Sequence, residues 1–189
     1  MTDNAVTPRF SPLHQVHVDA GASFTDFAGW QMPVRYSSEL EEHHAVRNAA
    51  ALFDLSHMAE IIVTGAGSAE FLDYALCGKI SAIGIGQAKY SLLLSDEGGI
   101  IDDVIVYRTH ENRYGVVANA GNRFQAAGAL ASRSANFDTT VVDESDQLAL
   151  IAVQGPGSRA ILEALPGLEL PSPLSELKYY WSVLGEFQG

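Results

Sequence analysis

The chain has 189 residues, of which 47% are hydrophobic, so it is long enough for one large domain or two small ones. Its formal net charge of −12, without any cluster of Lys and Arg, argues against nucleic acid as a partner. No apolar run approaches the roughly 20 residues that span a bilayer, and the first residues have neither a signal-peptide nor a transit-peptide pattern. The composition therefore predicts a soluble protein of the bacterial cytoplasm, with no nucleic-acid or membrane partner.

The metal-binding residue types are sparse. A single cysteine, Cys77, excludes an internal disulfide and a thiolate-built metal site, and we expect it to be a small buried residue. His43 and His44 are adjacent on a predicted helix, where neighbouring side chains point about 100° apart and cannot share one metal ion. The sequence therefore predicts no metal site.

The first third of the chain contains short elements. Residues 23–27 have the composition of a strand. Residues 30–36 include Pro33, which argues against a central strand because proline cannot donate to a ladder of hydrogen bonds. Ser38 and Glu41 have the spacing of a capping box, which predicts a helix from this point to about Ala50.

The middle of the chain alternates strands with two helices. The predicted strands are residues 60–64, 88–94, 100–107, 113–119 and 137–143, and the predicted helices are residues 69–76 and 121–134. The order is strand, helix, three strands joined by short hairpins, helix and strand. This order predicts an α+β fold, in which an antiparallel sheet is backed by two helices in a layer of the ferredoxin-like kind. Later elements are a strand at 148–153 and a helix at 159–165.

Two adjacent aspartates stand out in the hairpin. Asp102 and Asp103 lie in a run of Ile and Val, where a carboxylate is costly to bury. Strand alternation places Asp103 on one face with Ile101, Ile105 and Tyr107, and it places Asp102 on the other face with Ile100, Val104 and Val106. We expect Asp103 to be half-buried in a sheltered, apolar place, where an acidic group beside a tyrosine suits a flat, nitrogen-rich, cationic ligand. The alternative is a strand that begins later, with both aspartates solvated in the turn.

Six stretches of the chain occur together in a recognisable order. They are residues 26–33 (DFAGWQMP), 42–47 (EHHAVR), 53–58 (FDLSHM), 98–107 (GGIIDDVIVY), 117–122 (VANAGN) and 151–156 (IAVQGP). Together they resemble the T-protein family of the glycine cleavage system, which are tetrahydrofolate-dependent aminomethyltransferases. The resemblance extends from about residue 10 to the end of the chain.

This resemblance implies a three-domain fold with folate near its centre. It places residues 1–58 and 148–189 in an incomplete, discontinuous first domain and residues 59–147 in a second, α+β domain. Members of the family are longer, so the chain resembles their N-terminal part, and the family's third domain is missing.

The resemblance also implies a site and a reaction. Asp103 matches the catalytic aspartate, and six residues match positions that line the folate pocket, namely Met58, Tyr90, Tyr107, Val117 through its backbone, Asn119 and Tyr179. The implied reaction transfers a methylene carbon from an aminomethyl group on the lipoyl arm of a carrier protein, the H-protein, to tetrahydrofolate and releases ammonia. An ionised carboxylate near the reacting nitrogens stabilises developing positive charge or relays a proton.

Two other interpretations stay open at this point. The first is a folate-binding relative, such as an iron–sulfur assembly factor or the folate domain of a dimethylglycine or sarcosine dehydrogenase. The second is a non-enzymatic α+β binding module, for which neither Asp103 nor folate would be needed.

Overall fold

The computed structural model describes residues 7–188, which divide into two compact units. Residues 7–57 and 149–162 form the first unit, and residues 58–148 and 163–188 form the second. Residues 163–188 thus cluster with the central segment, whereas the division expected from the resemblance, 1–58 with 148–189 and 59–147 apart, stays a prediction. No helix between residues 7 and 188 is long and apolar enough to cross a membrane.

The elements alternate short strands with five α-helices over the described residues. In chain order they are β1 (Arg9–Phe10), α1 (His14–Asp19), β2 (Ser23–Phe27), β3 (Trp30–Arg35), α2 (Glu39–Asn48), β4 (Ala51–Asp54), β5 (Ala59–Thr64), α3 (Ser68–Ala75), β6 (Ala88–Leu94), β7 (Ile100–His110), β8 (Arg113–Ala118), α4 (Arg123–Arg133), β9 (Thr140–Asp143), β10 (Ile151–Gln154), α5 (Ser158–Glu163), β11 (Leu168–Glu169) and β12 (Glu186–Phe187). The predicted mixed α+β class is confirmed, and the finer ferredoxin-like description stays a prediction.

The first unit contains a three-stranded sheet with the order β1-β3-β2. Strand β2 has its predicted bounds, but the prediction that residues 30–36 cannot form a central strand is wrong. Strand β1 pairs with β3 only at Trp30 and Gln31, so the ladder ends before Pro33. On its other side Pro33 lies opposite Phe24, next to an irregularity in β2. The missing N–H of Pro33 therefore faces no partner strand, and the proline is tolerated.

Helix α2 begins where the capping signal predicts. Ser38 is the N-cap residue, and its hydroxyl accepts a hydrogen bond from the backbone N–H of Glu41. In a capping box the glutamate side chain accepts a hydrogen bond from the backbone before the helix. Here Glu42 makes this contact instead of Glu41, and its Oε1 accepts from the N–H groups of Tyr36 and Ser37, both at 2.8 Å. Two donors that precede the helix are satisfied in this way.

The second unit is built on a five-stranded antiparallel sheet with the order β6-β7-β8-β5-β9. Helices α3 and α4 cover one face, which we call the inner face. The core between them is apolar and includes the fully buried residues Ile61, Val63, Phe71, Leu72, Ile80, Leu93, Val106, Tyr114, Val116 and Leu130. Strand residues enter this core at every second position, as a sheet covered on one side requires.

Strand β7 follows the predicted alternation over most of its length. Asp102, Val104 and Val106 are buried on the inner face, whereas Asp103 and Tyr107 are on the opposite, outer face. The prediction is wrong at the start of the strand, where the register of β7 against β6 shifts between Leu93 and Leu94. At this bulge Ile101 packs against the core and its predecessor Ile100 is 68% exposed. One extra residue reverses the alternation locally.

The outer edge of strand β6 is occupied by two loops. The Ala88 N–H donates to the Tyr180 carbonyl at 2.8 Å, and the Leu92 carbonyl accepts from the Cys77 N–H at 2.9 Å. Cys77 itself is exposed, so the prediction of a buried cysteine is wrong. It follows the last turn of α3, where its backbone, rather than its side chain, contributes to the fold.

Candidate active site

The outer face of the sheet carries most of the predicted site residues. Tyr90 pairs with Ile105, Ile105 with Val117, and Val117 with Glu60. Residues that pair directly in an antiparallel sheet point to the same face, so this row crosses four strands. Asp103 and Tyr107 flank Ile105 in β7 and complete the set. We call these six residues, Tyr90, Asp103, Ile105, Tyr107, Val117 and Glu60, the outer-face site.

Asp102 lies behind this site, on the inner face, and only 3% of its surface is exposed. It accepts three hydrogen bonds from the turn that connects β8 to α4. The backbone N–H of Asn119 donates at 2.8 Å, the Asn119 side-chain amide at 3.0 Å, and the Asn122 side-chain amide at 2.6 Å. These bonds compensate the cost of burying a carboxylate, and they fix the turn to the strand.

Asn119 connects the two aspartates. Its side-chain nitrogen donates to Asp102 Oδ1 at 3.0 Å and to Asp103 Oδ1 at 2.9 Å. Both acceptors are carboxylate oxygens, so the amide nitrogen must face them and its oxygen must face away. The buried Asp102 thus orients Asn119, and Asn119 in turn restricts the Asp103 carboxylate.

Asp103 is exposed, which differs from the sheltered, half-buried carboxylate that the strand pattern predicts. The reason is that both helices of the second unit cover the inner face and leave Asp103 on the other side. The phenol of Tyr90, itself 51% exposed, lies beside it. Desolvation, then the charge of Asp103 and the hydrogen bond from the phenol to it, raise the pKa of Tyr90 above its usual value.

The other side of the row contains Tyr107 and Glu60. Burial, and then the nearby Glu60 carboxyl, raise the pKa of Tyr107 above its ordinary value. Tyr180 contributes to the same upward shift for both Tyr90 and Tyr107, so its ring lies near this end of the sheet. Tyr180 adopts a positive φ of 60°, which is uncommon for a residue with a side chain.

Two of the predicted pocket residues lie at the margin. Met58 directly precedes β5 and is partly buried. Tyr179 is 90% exposed, and its ring stacks at a tilt on Tyr180 with 4.8 Å between the centroids. The structure therefore brings Asp103, Tyr90, Tyr107, Val117 and Asn119 together, and it leaves Tyr179 outside that group. The ligand-binding roles of all these residues stay predictions.

Sequence reasoning missed two residues of this region. Glu60 had a usable signal, because an acidic residue at the start of an apolar strand is as unusual as Asp102 and Asp103 are in β7. Tyr180 had no such signal. Its position depends on a backbone contact with β6, which is distant in sequence.

The first unit holds a separate polar network. The Asp54 carboxylate accepts hydrogen bonds from the Ser11 hydroxyl, from His17 Nε2 at 2.8 Å and from the Ser56 N–H at 3.0 Å. His17 Nδ1 is 2.7 Å from the Tyr36 hydroxyl. Desolvation opposes ionisation of Asp54, but the three hydrogen bonds together hold its pKa below the usual value. A cleft of about 480 Å³ lies beside Tyr36 and Asp54, and none of the predicted site residues lines it.

The outer-face site has the chemistry of an organic-ligand site. Between residues 7 and 188, no group of three or more His, Cys, Asp or Glu side chains is placed to hold a metal ion. Two tyrosines and two aliphatic residues share this face of the sheet, with the carboxyl groups of Asp103 and Glu60 beside them. Such a surface can stack a planar ring while the carboxylates accept hydrogen bonds from ring or amine N–H groups.

Comparison with known proteins identifies the family. A family model described as the GCVT N-terminal domain matches residues 13–189. The aminomethyltransferase of Cutibacterium acnes is 52% identical over 187 residues, which are 97% of this chain and 50% of that protein. The aminomethyltransferase of Streptomyces avermitilis is 50% identical over 189 residues, which are 100% of this chain and 49% of that protein. The chain thus spans about half the length of the curated relatives it matches.

A solved structure gives the same result at the level of the fold. The crystal structure of the glycine cleavage system aminomethyltransferase T from Bartonella henselae superposes with a TM-score of 0.82 at 40% sequence identity. The match covers 92% of this chain and 46% of that one. The resemblance inferred from the six sequence stretches is confirmed, and the chain belongs to the GCVT N-terminal domain family, in which the two curated relatives are named aminomethyltransferase and the Bartonella henselae protein is the aminomethyltransferase T of a glycine cleavage system.

Proposed function

We propose that this chain is the N-terminal part of an aminomethyltransferase that acts in the glycine cleavage system of the cytoplasm. The reaction joins an aminomethyl thioether on the lipoyl arm of the H-protein, S–CH₂–NH₂, to tetrahydrofolate. The C–S and C–N bonds of the donor break, and the carbon forms bonds to two folate nitrogens. The two folate N–H protons end on the lipoyl sulfur and on the departing ammonia, so the products are methylene-tetrahydrofolate, dihydrolipoyl protein and ammonia.

The observation that carries this proposal is family membership over nearly the whole chain, with relatives of about 50% identity named aminomethyltransferase. The outer-face site supports it independently. It provides a flat surface of suitable chemistry for a reduced pterin, and a carboxylate at the edge of that surface. Asn119 restricts this carboxylate through hydrogen bonds to Asp102 and Asp103.

In the proposed mechanism Asp103 acts on the reacting nitrogens. When carbon leaves sulfur, the aminomethyl group becomes iminium-like and carries positive charge. A carboxylate next to that carbon stabilises the charge, and it accepts the proton that the attacking folate nitrogen must lose. Tyr90 and Tyr107 hold the pterin ring by stacking, Val117 borders it through its backbone, and Asn119 keeps the Asp103 carboxylate oriented. Met58 and Tyr179 line the margin of the bound folate.

The test is aminomethyl transfer by the gene product at its natural length. The protein is mixed with tetrahydrofolate and aminomethylated lipoyl H-protein, and the release of ammonia and methylene-tetrahydrofolate is measured. We expect Asp103→Asn to lower turnover by about 100- to 10,000-fold, the usual contribution of a general acid or base. Asp96→Asn, in the exposed hairpin turn before β7, is the matched control and leaves turnover unchanged.

Two results would contradict the proposal. Absence of transfer by the unmodified protein, with folate binding retained, would favour a folate-binding relative. Absence of any change in tryptophan fluorescence on titration with tetrahydrofolate would favour a binding module of another kind.

A further inference from the structure

Glu60 occupies the end of the row that crosses the outer face. It pairs with Val117, which pairs with Ile105, so two strand spacings separate it from β7. With strands about 4.8 Å apart, its Cα lies on the order of 10 Å from that of Ile105 across the sheet. Its carboxyl is close enough to the phenol of Tyr107 to raise the pKa of that phenol.

The environment of the Glu60 carboxyl is unusual for a glutamate. The residue is partly buried, and burial alone raises its pKa to about 7. Its backbone is fully engaged, because its N–H donates to the Ser145 hydroxyl and its carbonyl accepts from the Glu144 N–H. Among residues 7–188, however, no side chain or backbone donor forms a hydrogen bond or an ion pair with its carboxyl.

The groups that face this carboxyl do not compensate its charge. From β7 the facing titratable group is Tyr107, a neutral phenol whose own pKa is raised. From β8 the cross-strand neighbour is the aliphatic Val117, and on β5 the next residue of the same face is Ile62. After β9 the adjacent titratable group is Glu144, whose carboxylate is already paired with Arg113 at 3.6 Å. A partly desolvated carboxyl without a partner is costly to ionise, so a donor that arrives with a ligand would gain a strong interaction.

We propose that Glu60 is a further ligand-binding residue of the outer-face site, and that its carboxylate accepts a hydrogen bond from an N–H group of a bound substrate. This inference rests on the proposed function, since both proposed substrates carry such groups. Tetrahydrofolate offers the N–H groups of its pterin ring, and the carbon donor offers its amino group. Asp103 and Glu60 then hold two sides of the same bound ligand.

Proton release gives a direct measurement of this contact. The free Glu60 carboxyl is largely protonated at pH 6, and a hydrogen bond to its ionised form lowers its pKa. Binding therefore expels a proton. The experiment is calorimetric titration of the natural-length protein at pH 6 in two buffers of different ionisation enthalpy, first with tetrahydrofolate alone and then with aminomethylated lipoyl H-protein alone. Proton release in the tetrahydrofolate titration would mean that Glu60 contacts a pterin nitrogen, and proton release in the H-protein titration would mean that it contacts the donor amine.

Two variants complete the experiment. Glu60→Gln cannot ionise, so we expect no proton release from it, and affinity reduced about 10- to 100-fold at pH 8 for the ligand that contacts Glu60. At pH 6 this difference is about tenfold smaller, because the unmodified protein must first lose its proton. The matched control is Glu111→Gln, in the exposed turn between β7 and β8, and it behaves like the unmodified protein.

The outcomes separate the two proposals. Equal affinity and equal proton release in Glu60→Gln and the unmodified protein would overturn the role of Glu60 and leave the proposed function intact. Failure of the unmodified protein to bind either ligand would overturn both. As an independent readout, the ¹³C shift of the Glu60 carboxyl should titrate near pH 7 without ligand and well below that with ligand. A shift that titrates identically in both states would overturn the inference.

Discussion

The two faces of the five-stranded sheet show how one set of strands can serve stability and chemistry separately. Strand β7 places Asp102 on the inner face and Asp103 on the outer face, and the two residues differ only by one step of the alternation. Asp102 is buried and accepts three hydrogen bonds, whereas Asp103 is exposed and accepts side-chain hydrogen bonds from Asn119 and from the phenol of Tyr90. The comparison teaches that residue type alone does not decide which aspartate stabilises the fold and which one is available to a substrate.

The largest expected difference between the faces is in packing. Phe71 from α3 is fully buried against the inner face, so Phe71→Ala should lower the free energy of unfolding by about 3–5 kcal/mol. Tyr90→Ala on the outer face should lower it by less than about 1 kcal/mol, because the ring is half exposed. Urea unfolding followed by circular dichroism measures both. Similar losses for the two variants would contradict the assignment of the core to one face.

The two aspartates give the sharpest version of the comparison. Asp102→Asn replaces an acceptor by a group that presents its own N–H₂ to Asn119 and Asn122, so we expect a loss of about 2–3 kcal/mol in the free energy of unfolding. Asp103→Asn should change it by less than about 0.5 kcal/mol.

Activity should show the reverse order. Aminomethyl transfer at the natural length of the protein should fall most in Asp103→Asn, and less in Asp102→Asn when the assay is run at a temperature where both variants are folded. Equal losses of turnover would mean that the chemistry does not belong to the outer face.

The smallest expected effect is a change in pH dependence. Burial raises the pKa of Glu60 from 4.5 to about 7, so the folded state binds the proton more tightly than the unfolded state. This group therefore stabilises the fold fully below pH 4.5, and its contribution is lost as the pH rises to about 7. The free energy of unfolding of Glu60→Gln should decline less than that of the unmodified protein over this window. Parallel pH profiles would show that the carboxyl is well solvated.

Much of the local structure in both units could be predicted from the sequence. Strand β6 has its predicted bounds, Ala88–Leu94, and the alternation from Asp102 to Tyr107 is correct, because both depend on local patterns of apolar residues. The helix cap at Ser38 is correct for the same reason. In each case neighbouring residues contain the information that determines the structure.

The errors share a different cause. Pro33 lies in a central strand because its neighbour β1 is only two residues long, and the sequence around Pro33 does not reveal the length of β1. Ile101 turns inward because of a bulge that is defined by the partner strand. The placement of Tyr180 near the site, and the meeting of His17 with Asp54, likewise depend on contacts between residues far apart in the chain.

The loops along the edge of β6 have a consequence for self-association. An edge strand with free N–H and C=O groups is a template on which another chain can add a strand and start an aggregate. Here the N–H of Ala88 and the carbonyl of Leu92 are already bonded to Tyr180 and Cys77. A second copy would have to displace both loops to pair along the whole length of β6, so the same backbone contacts that bring Tyr180 to the sheet also oppose polymerisation through this edge.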